Sequence, residues 1–175
     1  MSEDDTAHGG TGASLSEAFT HEHHQIDAGI EEYLAQDESS DQHRRVVPLL
    51  SAMEALRRHI YLEEEIVFPH LPAGPLMMPL MVMRREHREL WRRMDALAET
   101  LRGDATGGGD GDGATDGLAD ACQELLSLLE DHNSKEEPII YPHLDADLDP
   151  SEQARVRTLL EEGTLPEGWV CEALR

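Results

Sequence analysis

A thirteen-residue motif occurs twice in this chain, and this repeat constrains the fold more than any other feature of the sequence. His59–Leu71 reads HIYLEEEIVFPHL, and His132–Leu144 reads HNSKEEPIIYPHL, seventy-three residues later and without a gap. In each copy a His is followed four residues later by a Glu and then by a second Glu, and the motif ends in an aromatic residue and Pro-His-Leu. The repeat predicts two copies of one structural unit.

A shorter pair of motifs precedes the two long ones. Glu22-His23 and Glu86-His87 are each followed by hydrophobic residues three and seven positions after the His. This spacing is that of the buried stripe of an amphipathic helix. Leu, Ile, Val and Met carry the apolar pattern while aromatic residues make up only 4% of the chain. We therefore expect two related helix pairs, and an all-α fold in which helices pack on helices.

Capping and helix-breaking residues predict four long helices and a short fifth one. Ser14, with Glu17 three residues later, is a capping box that predicts the start of the first helix. Pro69 predicts the end of the second. Pro48 predicts that the second helix starts late or kinks, because a proline inside a helix removes a backbone hydrogen bond. The predicted organisation is a disordered tail over 1–13, a helical bundle over 14–148 with a flexible Gly- and Asp-rich loop over 103–117, and a short C-terminal helix and tail over 149–175.

The later helix boundaries rest on similar signals. The third helix is predicted to begin near residue 76 or 80, after a Pro- and Gly-rich connection, and the fourth near residue 115 or 116. Pro138 predicts that the fourth helix ends or bends just beyond Glu136. Asp149-Pro150 opens the fifth helix and Gly163 ends it. We expect the segment after it to fold back as a cap.

Charge and cysteine content limit the classes of partner and compartment. The formal net charge is −23. Such a surface repels phosphate backbones and anionic lipid headgroups, so we expect neither nucleic acid nor a membrane as a partner. Cys122 and Cys171 provide no disulfide framework and no Cys-x-x-Cys motif, which favours a cytoplasmic protein.

Each long motif places a His and a Glu side by side on the apolar face of a helix, because residues four apart share a face. The pairs are His59 with Glu63 and His132 with Glu136. A buried carboxylate costs several kcal/mol unless it is paired or bound to a metal. No Lys or Arg lies on these stripes to pair with it.

The other two helices each add a His on the apolar stripe, His23 and His87. A single buried His is most simply a hydrogen-bonded core residue, but four of them with two Glu favour a metal centre inside the bundle. This set is too large for one tetrahedral zinc. It suits two first-row ions bridged by the carboxylates, with positions left for a small molecule.

The motifs Glu22-His23, His59-x-x-x-Glu63-Glu64, Glu86-His87 and His132-x-x-x-Glu136-Glu137, followed by Phe68-Pro69 and Tyr141-Pro142, resemble those of the hemerythrin-like (HHE cation-binding) domain from about residue 14 to 144. The resemblance implies an up-down-up-down four-helix bundle, with a short extra C-terminal helix here. It also implies an oxo- or hydroxo-bridged di-iron site, for which zinc or manganese would be substitutes. The residues carried over are His23, His59, His87 and His132 as terminal ligands, Glu63 and Glu136 as bridges, and Glu64 and Glu137 as supporting groups or alternative ligands.

Two departures from the oxygen-carrying members bear on function. Those proteins have a second His four residues after the third-helix His, where this chain has Trp91. They also have an Asp five residues after the last His, where this chain has Glu136 after four. Fewer imidazoles beside a bulky indole count against reversible oxygen storage. His24 and Asp27 are additional candidates for ligation or for a supporting role.

The leading expectation is a di-iron protein that binds or processes O2, NO or peroxide, with an electron donor as a further partner. An iron- or oxygen-responsive sensor without turnover is the alternative. A structural zinc bundle without chemistry is the third interpretation, which the number of ligands disfavours.

Overall fold

Four long helices pack around a shared core in the computed structural model, which describes residues 12–37, 41–105 and 113–175. They are α1 (Leu15–Ala35), α3 (Val47–Tyr61), α4 (Ala73–Ala105) and α5 (Gly113–Ile139). In the bundle α1 packs on α3, α3 on α4, α4 on α5 and α5 on α1. Every regular element in these described ranges is helical. The predicted four-helix bundle is confirmed.

The first helix begins where the capping box predicts. The Ser14 hydroxyl accepts a hydrogen bond from the Glu17 amide at 3.1 Å, and the Glu17 carboxylate accepts one from the Ser14 amide at 2.7 Å. The buried face of α1 then repeats every three or four residues. Its members are Leu15, Phe19, Glu22, His23, Ile26, Ile30 and Tyr33.

The predicted second helix is divided into shorter segments. A short helix α2 (Gln42–Arg45) precedes α3, and Pro48 lies in the first turn of α3, where its missing N–H costs no helical hydrogen bond. The late start is therefore the correct alternative for Pro48. After α3 the chain widens into a π-helical segment (Leu62–Val67) and tightens into a 3₁₀ turn (Phe68–His70).

The wide turn recurs in both copies of the long motif. The Phe68 amide donates to the Glu63 carbonyl, five residues back, and the Tyr141 amide donates to the Glu136 carbonyl, also five residues back, at 3.2 Å. The second copy reaches this geometry at the end of α5, just after Pro138. Single π-type turns often occur at functional sites because they re-aim side chains.

The third helix differs from its prediction at the N-terminal end. It begins at Ala73 and passes through Pro79, whereas we predicted a start near residue 76 or 80. Leu76 and Leu80 are both buried, so one apolar face continues across the proline and tertiary packing supports the earlier start.

Helix also occupies both ends of the segment 103–117 that we predicted as a flexible loop. α4 continues to Ala105, and α5 begins at Gly113 rather than near residue 115 or 116. Once a helix is formed, each added residue gains a hydrogen bond, which extends it past poor helix formers. Residues 106–112 of the predicted loop and residues 1–11 of the predicted tail lie outside the described residues.

The C-terminal region follows its prediction. After α6 (Pro142–Ala146), α7 (Pro150–Glu162) begins with an Asp149–Glu152 capping box and ends at Gly163. The remaining segment folds back on the bundle and closes with a 3₁₀ turn (Glu172–Leu174). Trp169 makes edge contacts with Tyr61 at 5.2 Å and Trp91 at 5.5 Å, and Cys171 is fully buried.

The core consists of two apolar clusters, and the predicted His residues lie close to the boundary between them. On α1, Phe19 belongs to one cluster and Ile26 to the other, and His23 lies between them. The same order is found on α4, where His87 lies between Met83 and Leu90. The bundle therefore encloses one polar layer between two apolar ones. None of the helices in the described residues combines the length and apolar character of a bilayer span.

Candidate metal centre

The polar layer contains all six side chains predicted as metal ligands. Each is at most 3% exposed, and each long helix or its extension contributes at least one of them. The six are His23, His59, Glu63, His87, His132 and Glu136.

Their donor atoms form two groups that share two residues. His23 and His59 make one group and His87 and His132 the other, while Glu63 and Glu136 belong to both. Within each group the candidate ligand atoms all lie within 4.8 Å of one another. The arrangement offers two adjacent positions, each of which could hold a cation, with two carboxylates in common.

The carboxylate of Glu63 spans the two positions. Its Oε1 lies 3.0 Å from His59 Nε2, and its Oε2 lies 3.2 Å from His87 Nε2. Glu136 Oε2 lies 3.1 Å from His132 Nε2 and 3.6 Å from His23 Nε2. The carboxylates of Glu63 and Glu136 thus each lie close to one imidazole of each donor group.

Unpaired polar atoms show that this donor set fits a metal. In the described part of the chain, Glu136 Oε1 is buried and has no hydrogen-bond partner, and the buried Glu63 Oε2 and His87 Nε2 have only their mutual 3.2 Å ion-pair contact, which lacks hydrogen-bond geometry. A buried polar atom without a partner costs about 1–3 kcal/mol, and more when it is charged. A cation held by these atoms would remove that cost, and imidazole with carboxylate oxygen is a donor set that first-row ions accept.

A second set of carboxylates forms hydrogen bonds with the Nδ1 atoms of the four imidazoles, on the side away from the donor groups. Each His Nδ1 lies within hydrogen-bond distance of a Glu on a neighbouring helix. Because an ionised carboxylate can only accept, Nδ1–H donates and Nε2 is directed at the centre. The pairs are His59 with Glu22 at 2.8 Å, His87 with Glu64 at 2.8 Å, His132 with Glu86 at 3.0 Å, and His23 with Glu137 at 2.9 Å.

These four contacts form a closed ring around the bundle. Glu22 on α1 reaches α3, Glu64 after α3 reaches α4, Glu86 on α4 reaches α5, and Glu137 on α5 returns to α1. Each supporting Glu is the sequence neighbour of a ligand candidate. The sequence predicted Glu64 and Glu137 beside the site but assigned no role to Glu22 or Glu86, although both stand next to a His in the quoted motifs.

Three of the supporting carboxylates have partners besides the His. Arg58 donates to Glu22 at 2.5 Å, Lys135 donates to Glu86, and the Glu172 amide donates to Glu64 at 2.7 Å. Burial acts to raise the pKa of Glu22, but hydrogen bonds from His59 and Arg58 outweigh it and the pKa lies below its ordinary value. Glu22 is therefore held as a carboxylate.

The imidazoles divide by the direction of their pKa shifts. Burial acts to lower the pKa of His132, but the carboxylates of Glu136, Glu86 and Glu63 together outweigh it and raise the value to about 10. Burial also opposes charge on His59, and Glu63 and Glu22 raise its pKa well above the ordinary value. For His23, burial and the nearby His59 lower the pKa. Metal binding would therefore displace protons from this centre.

Tyr141 occupies the centre and was missed as a site residue by sequence reasoning. Its hydroxyl donates to Glu63 Oε1 at 2.8 Å and lies 2.7 Å from His23 Nε2 and 3.0 Å from His59 Nε2. Burial and the two carboxylates raise the pKa of Tyr141 well above its ordinary value, so the phenol keeps its proton here. The only signal in the sequence was its place in the Tyr-Pro-His-Leu end of the repeat.

The remaining candidates lie outside the two donor groups. His24 is exposed, and Asp27 is half-buried in a cleft with Glu31, Glu130 and Glu137. Burial, followed by the charge of Glu31, raises the pKa of Asp27 to about 6. Trp91 is buried in the apolar cluster, in contact with Trp169 and beneath the Arg57 guanidinium.

The fold and the His/Glu layer define a metal-binding helical domain. The sequence matches the family described as Hemerythrin HHE cation binding domain over residues 14–144, which is most of the chain. The chain belongs to this family. A search of curated proteins gave no significant match.

Proposed function

We propose that this chain is a hemerythrin-like, non-haem di-iron protein that binds or processes O2, NO or peroxide at a carboxylate-bridged iron pair. The observation that supports this most strongly is that Glu63 and Glu136 belong to both donor groups. A single structural ion would need only one group of four donors, and the second pair of His would then remain an unexplained buried cluster.

The composition of the donor set supports iron over a closed zinc site. Both groups contain imidazoles and carboxylates, and both cysteines lie outside them. Imidazole with carboxylate leaves first-row ions short of six ligands, which is the pattern of redox-active iron sites with open positions. Zinc and manganese are the substitutes against which iron should be compared.

The chain's own residues prepare this site in three ways. The ring of supporting Glu fixes the tautomer and orientation of all four imidazoles. The apolar clusters above and below exclude bulk water, which strengthens electrostatic interactions inside the layer. Before metal binds, the Tyr141 hydroxyl donates a hydrogen bond to Glu63 and keeps that carboxylate in place. A bound iron pair would supply two redox equivalents and a coordination position for the small molecule.

A sensor without turnover is the second candidate, and one contact favours it. The backbone amide of Glu172 in the C-terminal tail donates to Glu64, and Glu64 holds His87. A change at His87 on metal binding would therefore reach the tail through one carboxylate. Turnover of peroxide or reduction of a diatomic would favour the enzyme, and ligand binding with a change in tail protection alone would favour the sensor.

We also expect an electron donor as a partner and a reducing compartment such as the cytoplasm. Cys122 and Cys171 are both free and buried, and burial raises the pKa of each thiol to about 11. Both thiols are therefore protected from easy oxidation.

The metal content of the untagged protein tests the proposal. Elemental mass spectrometry after gel filtration should find about two irons per chain, because the chain offers two donor groups. His59→Ala should lower that number, and His70→Ala should not, since His70 pairs with Glu152 at the surface. One zinc per chain, no metal at all, or an unchanged iron content in His59→Ala would contradict the di-iron assignment.

A further inference from the structure

The two halves of the centre carry different aromatic residues at equivalent places. Tyr141 follows Glu136 by five residues and Phe68 follows Glu63 by five, and each aromatic amide donates to the carbonyl of its Glu. The backbone therefore presents both side chains in the same way. The two residue types differ by one oxygen atom, on the Tyr141 side.

The position of that oxygen is specific. It lies 2.7 Å from His23 Nε2, 3.0 Å from His59 Nε2, 2.8 Å from Glu63 Oε1 and 3.3 Å from Glu136 Oε2. It is therefore close to a donor atom of all four members of one donor group.

These distances are those expected between neighbouring ligands of one ion. With metal–ligand bonds of about 2.1 Å, two ligands at right angles are about 3.0 Å apart. A ligand on one axis of an octahedral or square-pyramidal ion is at right angles to four others. The phenol oxygen lies 2.7–3.3 Å from the four donor atoms of the His23 and His59 group, which is the spacing that such a ligand would have.

The other half has no such atom at the equivalent place. The Phe68 ring stacks on His87, with ring centroids 5.9 Å apart and planes 7° from parallel. The His23 and His59 group thus has five candidate donors when Tyr141 is included. The His87 and His132 group has four.

We propose that the phenol oxygen of Tyr141 is a ligand of the ion held by His23 and His59, which makes the two metal positions inequivalent. The proposal rests on the proposed two-iron site. When the ion binds, an oxygen–metal bond replaces the phenol O–H bond, and the proton is released to solvent. The ion at His87 and His132 keeps the lower number of protein ligands, so the exogenous small molecule binds there.

A spectroscopic experiment on the full-length chain tests this assignment. The protein is loaded with ferrous iron without oxygen and is then oxidised with ferricyanide, a one-electron oxidant. Ferric phenolate complexes carry an intense visible charge-transfer band, and resonance Raman excitation within it enhances tyrosine ring modes. We expect both signals, and we expect the ring modes to shift when the protein contains ring-deuterated tyrosine.

Variants then assign the signal to one residue. Tyr141→Phe keeps the ring and should abolish the band while about two irons per chain remain. Tyr61→Phe is the matched control, because Tyr61 contacts Trp169 and lies outside the centre. If Tyr141→Phe does not fold, retention of the signal in both Tyr33→Phe and Tyr61→Phe assigns it by elimination, since the chain has three tyrosines.

The outcomes separate this inference from the proposed function. Two irons without tyrosine modes, or modes that persist in Tyr141→Phe, would overturn the assignment of Tyr141 and leave the di-iron proposal intact. Loss of the tyrosine ring modes in Tyr61→Phe would also overturn the assignment of Tyr141. Fewer than two irons in the wild type would overturn both.

Discussion

The two halves of the centre have the same plan but different surroundings. In both, two imidazoles meet the shared pair Glu63 and Glu136, and a supporting Glu holds each imidazole. One half adds the hydroxyl of Tyr141, and the other has the apolar ring of Phe68 on His87. The internal repeat thus places similar side chains in both donor groups, and divergence between its copies gives the two groups different aromatic neighbours.

The surface next to each half differs as well. Glu137, behind His23, lines a cleft of about 620 Å³ whose described lining includes four carboxylates and no Lys or Arg. Glu86, behind His132, lines a cleft of about 300 Å³ together with Arg85, Arg88 and Lys135. The His23 half therefore lies behind an acidic cleft, and the other half lies behind a cleft lined by three cationic and three acidic side chains.

The largest effect on metal affinity is expected from substitutions of the supporting carboxylates. Glu22→Gln removes the charge behind His59 and Glu86→Gln removes it behind His132, and each should weaken metal binding in its own half by about 10–100-fold. Metal affinity measured by chelator competition checks this. Glu130→Gln, a change of an exposed residue on α5, is the control and should leave the affinity unchanged. If all three changes had equal and negligible effects on metal affinity, the supporting Glu residues would have no role in metal binding.

Phe68→Tyr should reduce the difference in the number of protein ligands between the two halves of the centre. It places a second phenol at the equivalent position beside His87, so we expect about twice the phenolate absorption of the wild type and weaker azide binding, because the lower-coordinate ion gains a ligand. Optical titration with azide measures both. Tight azide binding with doubled phenolate absorption would show that the exogenous ligand does not bind where we infer.

The C-terminal tail offers a prediction specific to the His87 half. Glu172→Pro removes the amide that donates to Glu64, and Cys171 already has the extended backbone that a following proline requires. Loss of this one hydrogen bond to a carboxylate costs about 1.5–3 kcal/mol. We expect Glu172→Pro to weaken metal binding at the His87 half only.

Glu172→Ala is the matched control for that change. It keeps the amide and loses only the ion pair between Glu172 and Arg84 at 2.7 Å. If Glu172→Ala and Glu172→Pro weaken metal binding equally, the tail affects the His87 half through Arg84 and not through Glu64.

The smallest effect concerns pH and the acidic cleft of the His23 half. The pKa of Asp27 is raised to about 6, chiefly by burial and also by Glu31, from an ordinary value of 3.8. A carboxyl with a raised folded-state pKa destabilises the fold as pH rises through the interval from the unfolded to the folded value. Wild-type stability should therefore fall between about pH 4 and pH 6 relative to Asp27→Asn. After allowance for partial exposure, the variant should be more stable at pH 7 by about 1 kcal/mol.

Denaturant unfolding at several pH values, on metal-free protein, measures that difference. Gln123→Glu provides the comparison, because it adds a carboxylate to the same cleft and should raise the pKa of Asp27 further. A stability difference between wild type and Asp27→Asn that does not change with pH would mean that the Asp27 carboxyl is solvated as an ordinary surface group.

The sequence predicted the parts of this site that obey helical spacing. His59 with Glu63 and His132 with Glu136 are four residues apart, and all six predicted donors meet in the polar layer. The capping box at the start of α1 was also predicted, because a cap is a contact over three residues. Local periodicity was sufficient for these features.

Contacts between helices could not be read in this way. Glu137 supports His23 across 114 residues, and the Tyr141 hydroxyl reaches His23 across 118. The π-type turn that places Tyr141 over the centre depends on packing as well as on Pro138. The helical course of α4 through Pro79 was likewise missed, because tertiary packing of Leu76 and Leu80 overrides the local cost of the proline.

The most direct test of the central claim is a crystal structure of the iron-loaded protein with anomalous diffraction at the iron edge. The account predicts two iron peaks about 3.5–4 Å apart, with Glu63 and Glu136 bound to both and Tyr141 bound only to the iron of His23 and His59. A single peak, or two peaks that share neither carboxylate, would contradict the bridged two-metal centre.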